Sequence, residues 1–257
     1  MHKPLPIMLL TVSTFGCLLQ TTGIAQQANF RIETDVMQAD QAKPSLQSVT
    51  LFHDGVAYDF SRDTPHQVTI VDGAANRVVL IDSQRQIQSR VNLQELQSFM
   101  DQVRAEMASS SLAAALEDAK LVQVDSAAGL ITVGRDSIAY LAKMQHPENP
   151  DMAQQYAVFA NATAQLNAWQ YPGQNPPAFA RLHLNQAISQ QAAIPSEITR
   201  TVTSGRGQKN VVRSRVHATW RLTPEDQQQV EQFTKMLLAY PSIEIGQYMN
   251  PAVPMKR

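Results

Sequence analysis

Cysteine is almost absent: Cys17 is the only one among 257 residues. Neither an intrachain disulfide nor a cysteine-ligated zinc site can therefore form. Charge is sparse as well, at 17% of residues, where ordinary soluble domains carry roughly 25%. The 21 basic and 22 acidic side chains leave a formal net charge of -1. That balance excludes a strongly basic nucleic-acid binder and an acidic solvating tail. Much of the polar surface is amide instead, with 29 Gln residues. Beyond residue 25 no apolar run approaches the roughly 20 residues of a membrane-spanning helix, so no span is expected in the mature chain.

Signatures of catalysis are also missing. The six His residues (His2, His53, His66, His146, His183 and His217) include no i, i+4 pair and no H-E-x-x-H. His146, near Glu148 and Asp151, is flanked by Pro147 and Pro150 and reads as an exposed loop, not a metal site. No G-x-S-x-G elbow occurs, and Ser109 to Ser111 read as a helix break. Asp54, Asp72, Asp82, Asp125 and Asp136 all fall in turn contexts, which explains them without a catalytic carboxylate pair. No catalytic residue, metal or cofactor is expected, and an exported hydrolase is the remote alternative.

What is present begins with an export signal. Lys3 precedes an apolar stretch from Ile7 to Leu19, and Gly23-Ile24-Ala25 supplies small residues at cleavage spacing. Cleavage is expected after Ala25, giving a soluble periplasmic or extracellular protein of a bacterium; an uncleaved anchor is the other reading. Cys17 follows Gly16, as a lipidated Cys would. Thr14 and Phe15 fit that signal poorly and the chain stays apolar afterwards, so Cys17 is expected to leave with the signal.

From Phe30 to Val91 the pattern is β. Ile32, Thr34 and Val36 alternate with Arg31, Glu33 and Asp35, a half-buried strand. Asp54-Gly55 separates Val49 to Phe52 from Val56 to Phe60, a hairpin signal, because Gly accepts positive φ. Asp72-Gly73 and Asp82-Ser83 turn the chain again. The continuous apolar run Val78 to Ile81 predicts a central strand. About six short strands at this spacing must be antiparallel, since parallel pairs need long crossovers. Asn92 with Glu95 predicts a capping box opening a helix striped by Leu93, Leu96, Met100, Val103 and Met107. Leu112 to Leu116 add a short helix.

A second β block spans Leu121 to Met144. A helix striped by Met152, Tyr156, Phe159, Thr163 and Leu166 starts at Asp151, and a weaker one runs from Ala178 to Ile188. Strands at Ile198 to Val202 and Val212 to Trp220 follow, joined by Gly205-Arg206-Gly207. Thr223-Pro224-Glu225-Asp226 opens a last helix that Pro241 stops, and the tail with Pro251 and Pro254 reads as irregular. The domain reading is a signal at 1–25 and one α+β domain at 26–257, with a helical insertion near 148–190. Arg200, Arg206, Lys209, Arg213 and Arg215 make that last hairpin basic, either a solvated face or a patch for an anionic headgroup or an acidic partner.

The strand–acidic turn–strand run Ile70-Val71-Asp72 to Val78-Val79-Leu80-Ile81-Asp82, after Val49 to Phe60 and before the helix at Asn92, resembles the exported LolA/LolB/LppX-like lipoprotein carriers and lipid-binding proteins. The likeness spans Phe30 to Tyr140 and lies in topology. It implies an α+β fold in which a strongly curved antiparallel sheet, an incomplete barrel, is covered by helices and holds acyl chains in its hollow. Leu51, Tyr58, Leu80, Met100, Val133 and Trp220 are the candidate lining residues, each of which also suits plain core. The expected function is an exported, non-enzymatic carrier or sensor of a lipid or lipoprotein acyl chain. The alternative is a cell-envelope structural or interaction protein with a filled core and an envelope protein as partner.

Overall fold

The computed structural model describes residues 28–38, 41, 43–110, 112–172 and 178–250. The expected export signal at 1–25 with Cys17, Ser111, and the tail with Pro251 and Pro254 lie outside them. Six hairpin-linked strands come first: β1 (Phe30–Gln38), β2 (Leu46–His53), β3 (Val56–Ser61), β4 (Gln67–Asp72), β5 (Arg77–Asp82) and β6 (Ile87–Asn92). Helices α1 (Leu93–Ala108) and α2 (Ala113–Asp118) lead into β7 (Val122–Asp125), β8 (Leu130–Gly134) and β9 (Ile138–Gln145). Then come α3 (Pro150–Gln170), α4 (Phe179–Gln190), β10 (Ile194–Thr203), β11 (Lys209–Thr219), α5 (Pro224–Ala239) and α6 (Ile245–Met249). The short α6 has no counterpart in the sequence reading.

Among the described residues, the strands form one antiparallel sheet of eleven in the order β6-β5-β4-β3-β2-β1-β11-β10-β9-β8-β7. The first and last strands of that order do not meet, so the sheet is not closed. β1 stands in the middle because the chain returns through β10–β11 to pair with it, Thr34 opposite Val216 on one side and Ser48 on the other. The run Val78 to Ile81, expected to be central, lies in β5, one strand from the end. It is apolar throughout because helices pack on both of its faces. Val78 and Leu80 join a core with α1 and α3, whereas Val79 and Ile81 join one with α5.

The turns follow from a short code. Asp54 and Gly55 both take positive φ, 49° and 78°, the primed turn that matches strand twist. Three later hairpins begin at Asp72, Asp82 and Asp125, and the residue four positions on takes the left-handed conformation: Asn76 (φ 53°), Gln86 (φ 53°) and Gly129 (φ 65°). Each Asp carboxylate accepts a backbone N–H from inside its own loop: Ala75 at 2.9 Å, Arg85 at 3.0 Å and Ala128 at 2.9 Å.

The helix starts are also local chemistry. Thr223 and Asp226 form the reciprocal capping box at α5. Asn92 caps α1 by accepting the Gln94 N–H at 2.7 Å. It does so through the N2 amide, so the bond runs one way and Glu95 is not the partner that its spacing predicts.

Side-chain parity divides the sheet into two faces. One face carries Phe30, Ile32, Phe52, Ala57, Val71, Val78 and Leu80 against α1 and α3. Toward β7 the same face carries Ile131, Val133, Tyr140 and Ile198 against α1, α2 and α4. The other carries Val49, Leu51, Tyr58, Val68, Ile70, Val79 and Ile81 against Val230 and Phe233 of α5. Arg31 on that second face pairs with both Asp226 of α5 and Glu33, pinning the helix start. At the β6 edge, the segment after α5 closes in. Gln88 donates its backbone N–H to Pro241 at 3.0 Å, accepts from Ile243 at 2.9 Å, and forms a parallel bridge with Ser242. The β7 edge carries exposed Val122 and Val124.

Candidate functional site

A cavity of about 590 Å³ lies on the α3 face, between strands β1–β4 and β9–β11 and the helices α3 and α4. Specific small-molecule sites are typically about 300–1,000 Å³. Register explains its floor. Thr34 faces Ser48, Thr50 faces Asp59, Ser48 faces Ser61 and Asp59 faces Thr69. All these side chains point to the α3 face, so four adjacent strands lay down a patch of hydroxyls around one carboxyl. Such a patch is unusual where helices cover a sheet, because an unpaired buried hydroxyl costs free energy.

The opposite wall is aromatic and cationic. Tyr156 and Phe159 come from α3, Tyr140 from β9, Arg181 from α4 and Arg200 from β10. Arg181 donates from Nε to Asn185 Oδ1 at 2.9 Å. Burial pushes the Tyr156 hydroxyl above its ordinary pKa, and the neighbouring Arg181 partly offsets this. The Nε of Arg200 is buried and has no hydrogen-bond partner among the described residues.

Asp59 is the one carboxylate in this lining. It is half-buried; dense protein surrounds it while part of its surface opens to the cavity. Burial raises its pKa to about 6, against the bond that Thr50 Oγ1 donates to Oδ1 at 2.7 Å. The folded protein thus holds this proton more tightly than the unfolded chain does. Stability is then highest below the unfolded value of 3.8 and falls as pH rises through about 6. The full shift would amount to at most about 3 kcal/mol, and cavity exposure reduces it to about 1–2 kcal/mol. Asp59→Asn is expected to gain that much stability over wild type at pH 8 and little at pH 4. Urea unfolding of both proteins at the two pH values checks this, and an equal difference at both would refute it.

None of the six residues singled out from sequence lines this cavity. Leu51 and Tyr58 point to the opposite face and pack in the core beneath α5, Tyr58 stacked on Phe233 at 6.2 Å. Leu80 is buried with α1 and α3, and Met100 and Val133 lie in the core beneath α4. Trp220 packs beside Phe30 at 6.5 Å. The basic hairpin is likewise divided. Arg200 faces the cavity, whereas Arg213 and Arg215 share the opposite face with Glu197, each 3.6 Å from it. Arg206 lies in the exposed turn, and Lys209 starts β11 on the same face as Arg213 and Arg215. No single patch of five forms.

The polar floor was missed because Ser48, Thr50, Asp59, Ser61 and Thr69, each taken alone, carry no mark of a buried face, and Thr34 reads only as one member of the Ile32–Val36 side of its strand. The available signal was parity: Thr34 shares its face with Ile32, and Thr50 shares its face with Phe52. Among the described residues, no three His, Cys, Asp or Glu side chains are grouped to hold a metal ion. No helix among them is long and apolar enough to cross a membrane. No protein-family model matches the chain, and no curated protein matches it either.

Proposed function

We propose that this protein is an exported, non-enzymatic carrier or sensor that binds a lipid or acyl chain within the hollow of a curved, incomplete barrel. The observation that carries this reading is the cavity of about 590 Å³, left between one face of the sheet and α3 and α4. A purely structural protein would gain by filling such a space, since interiors pack densely. Val36, Leu46, Phe159, Leu166, Ile198 and Val216 supply apolar wall, and each buried methylene of a ligand contributes about 0.8 kcal/mol. The export signal at 1–25 would deliver the protein to the compartment where such chains need shielding from water. Native mass spectrometry of the mature protein, purified gently from its export compartment, tests the reading. A discrete added mass that leaves on organic extraction is expected; an unmodified mass under every condition would overturn it.

The second reading, an envelope interaction protein, is favoured by the exposed apolar residues Leu112, Leu121, Val122 and Val124 at the β7 end. Cross-linking in intact cells would then join β7 to an envelope protein, with no added mass in the cavity.

A further inference from the structure

Three charged side chains face the same cavity, Asp59, Arg181 and Arg200; Arg181 spends its Nε on Asn185, and among the described residues none of the three pairs with another. Asp59 lies on β3, and Arg200 lies on β10 across the cavity from it. Among the described residues Asp59 takes one hydrogen bond, from Thr50, and forms no ion pair. Arg200 likewise forms none, and its Nε is buried without a partner. Other charges do pair closely, as Arg77 does with Asp72 at 3.0 Å and Arg85 with Asp82 at 2.7 Å. A buried donor left open in this way, as the Arg200 Nε is, is costly unless a partner completes it.

The floor between them supports the same conclusion. A bare hydrocarbon chain laid on Thr34, Ser48, Ser61 and Thr69 would strip water from four hydroxyls and return nothing. Hydroxyls and charges at this depth suit a polar head, and the apolar wall suits its tail.

We infer that the cavity holds the head of its ligand as well as part of its chain. In this arrangement Asp59 receives an ammonium group and Arg200 an anionic phosphate, the chemistry of a zwitterionic aminophospholipid. The inference rests on the carrier reading and gives it a ligand class. A phosphate suits Arg200 because guanidinium donors bind phosphate oxygens through charge-assisted bonds. The ammonium suits Asp59 because three N–H donors can meet both the carboxylate and the neighbouring hydroxyls.

The test uses the delipidated mature protein with three probes: phosphatidylethanolamine, phosphatidylglycerol and neutral monoacylglycerol, all of one acyl length. Phosphatidylethanolamine is expected to bind roughly tenfold more tightly than phosphatidylglycerol, the worth of one charge-assisted contact. Asp59→Asn, nearly isosteric, is expected to erase that preference. Arg200→Gln is expected to weaken both phospholipids roughly tenfold and leave monoacylglycerol unchanged. Near-ultraviolet circular dichroism establishes that each variant is folded. Equal binding of all three probes, unmoved by either variant, would overturn the inference and leave the carrier reading standing. Binding of none of them would overturn both.

Discussion

Phe52→Ala is expected to destabilise the protein by about 3–5 kcal/mol, the range for emptying a buried aromatic site. Phe52 is 1% exposed and stacks on Phe30, with ring centroids 4.1 Å apart and planes 4° from parallel. Phe159 of α3 meets it edge-on at 5.6 Å, and Tyr156 lies 6.4 Å away. The ring is thus the joint between the centre of the sheet and α3, and its neighbours already border open space. Collapse cannot fill the gap cheaply, because the paired strands β1 and β2 hold both sides of it apart. Urea unfolding should show the loss, and hydrogen exchange should show α3 opening before the strands. A loss below about 1 kcal/mol would mean that the cavity relaxes into the vacated space.

The second large effect is expected on the other face. Phe233 of α5 is 1% exposed and lies between Tyr58 at 6.2 Å and Phe60 at 5.3 Å, the latter edge-on. Phe233→Ala is expected to cost about 3–5 kcal/mol as well. Its signature should differ from that of Phe52→Ala, because α5 is far from the cavity lining. The lipid binding proposed for the cavity should persist in the fraction that stays folded. The Arg31–Asp226 pair and the Thr223 cap still hold the start of α5. Exchange should therefore quicken first at its end, where Gln88 Nε2 donates to the carbonyls of Leu237 and Tyr240. If α5 exchanges no faster than in wild type, Phe233 does not anchor it.

Local chemistry was the legible part of this chain. Asp-Gly at 54–55 and the Asp residues that open the later loops announce hairpins, because carboxylate capping and left-handed residues act within a few positions. The stripe of α3 and the Thr223 start of α5 were equally plain. The site was harder to read because it depends on which face each strand turns to which helix. Tyr58 and Leu51 are the more apolar choices on their strands, and they are indeed buried, but beneath α5. Asp59 and Thr50, one residue away, face the cavity. A sheet with helices on both faces defeats the rule that the apolar side is the functional inside. The six-strand meander was visible, but the return of β11 to β1 was not, since pairing across that distance leaves no local mark.

The two ends of the sheet differ in one further respect. At β6, the bonds from Gln88 to Pro241 and Ile243 occupy the edge. At β7, four exposed residues present edge positions that no strand among the described residues pairs with. Strand addition, whether from a second copy or from an unfolded neighbour, has one place to begin and no matching place from which to continue. Edge-to-edge pairing of two copies through β7 uses up both available edges and stops at a dimer. Asymmetry at the margins of the sheet thus limits strand addition to a pair of copies.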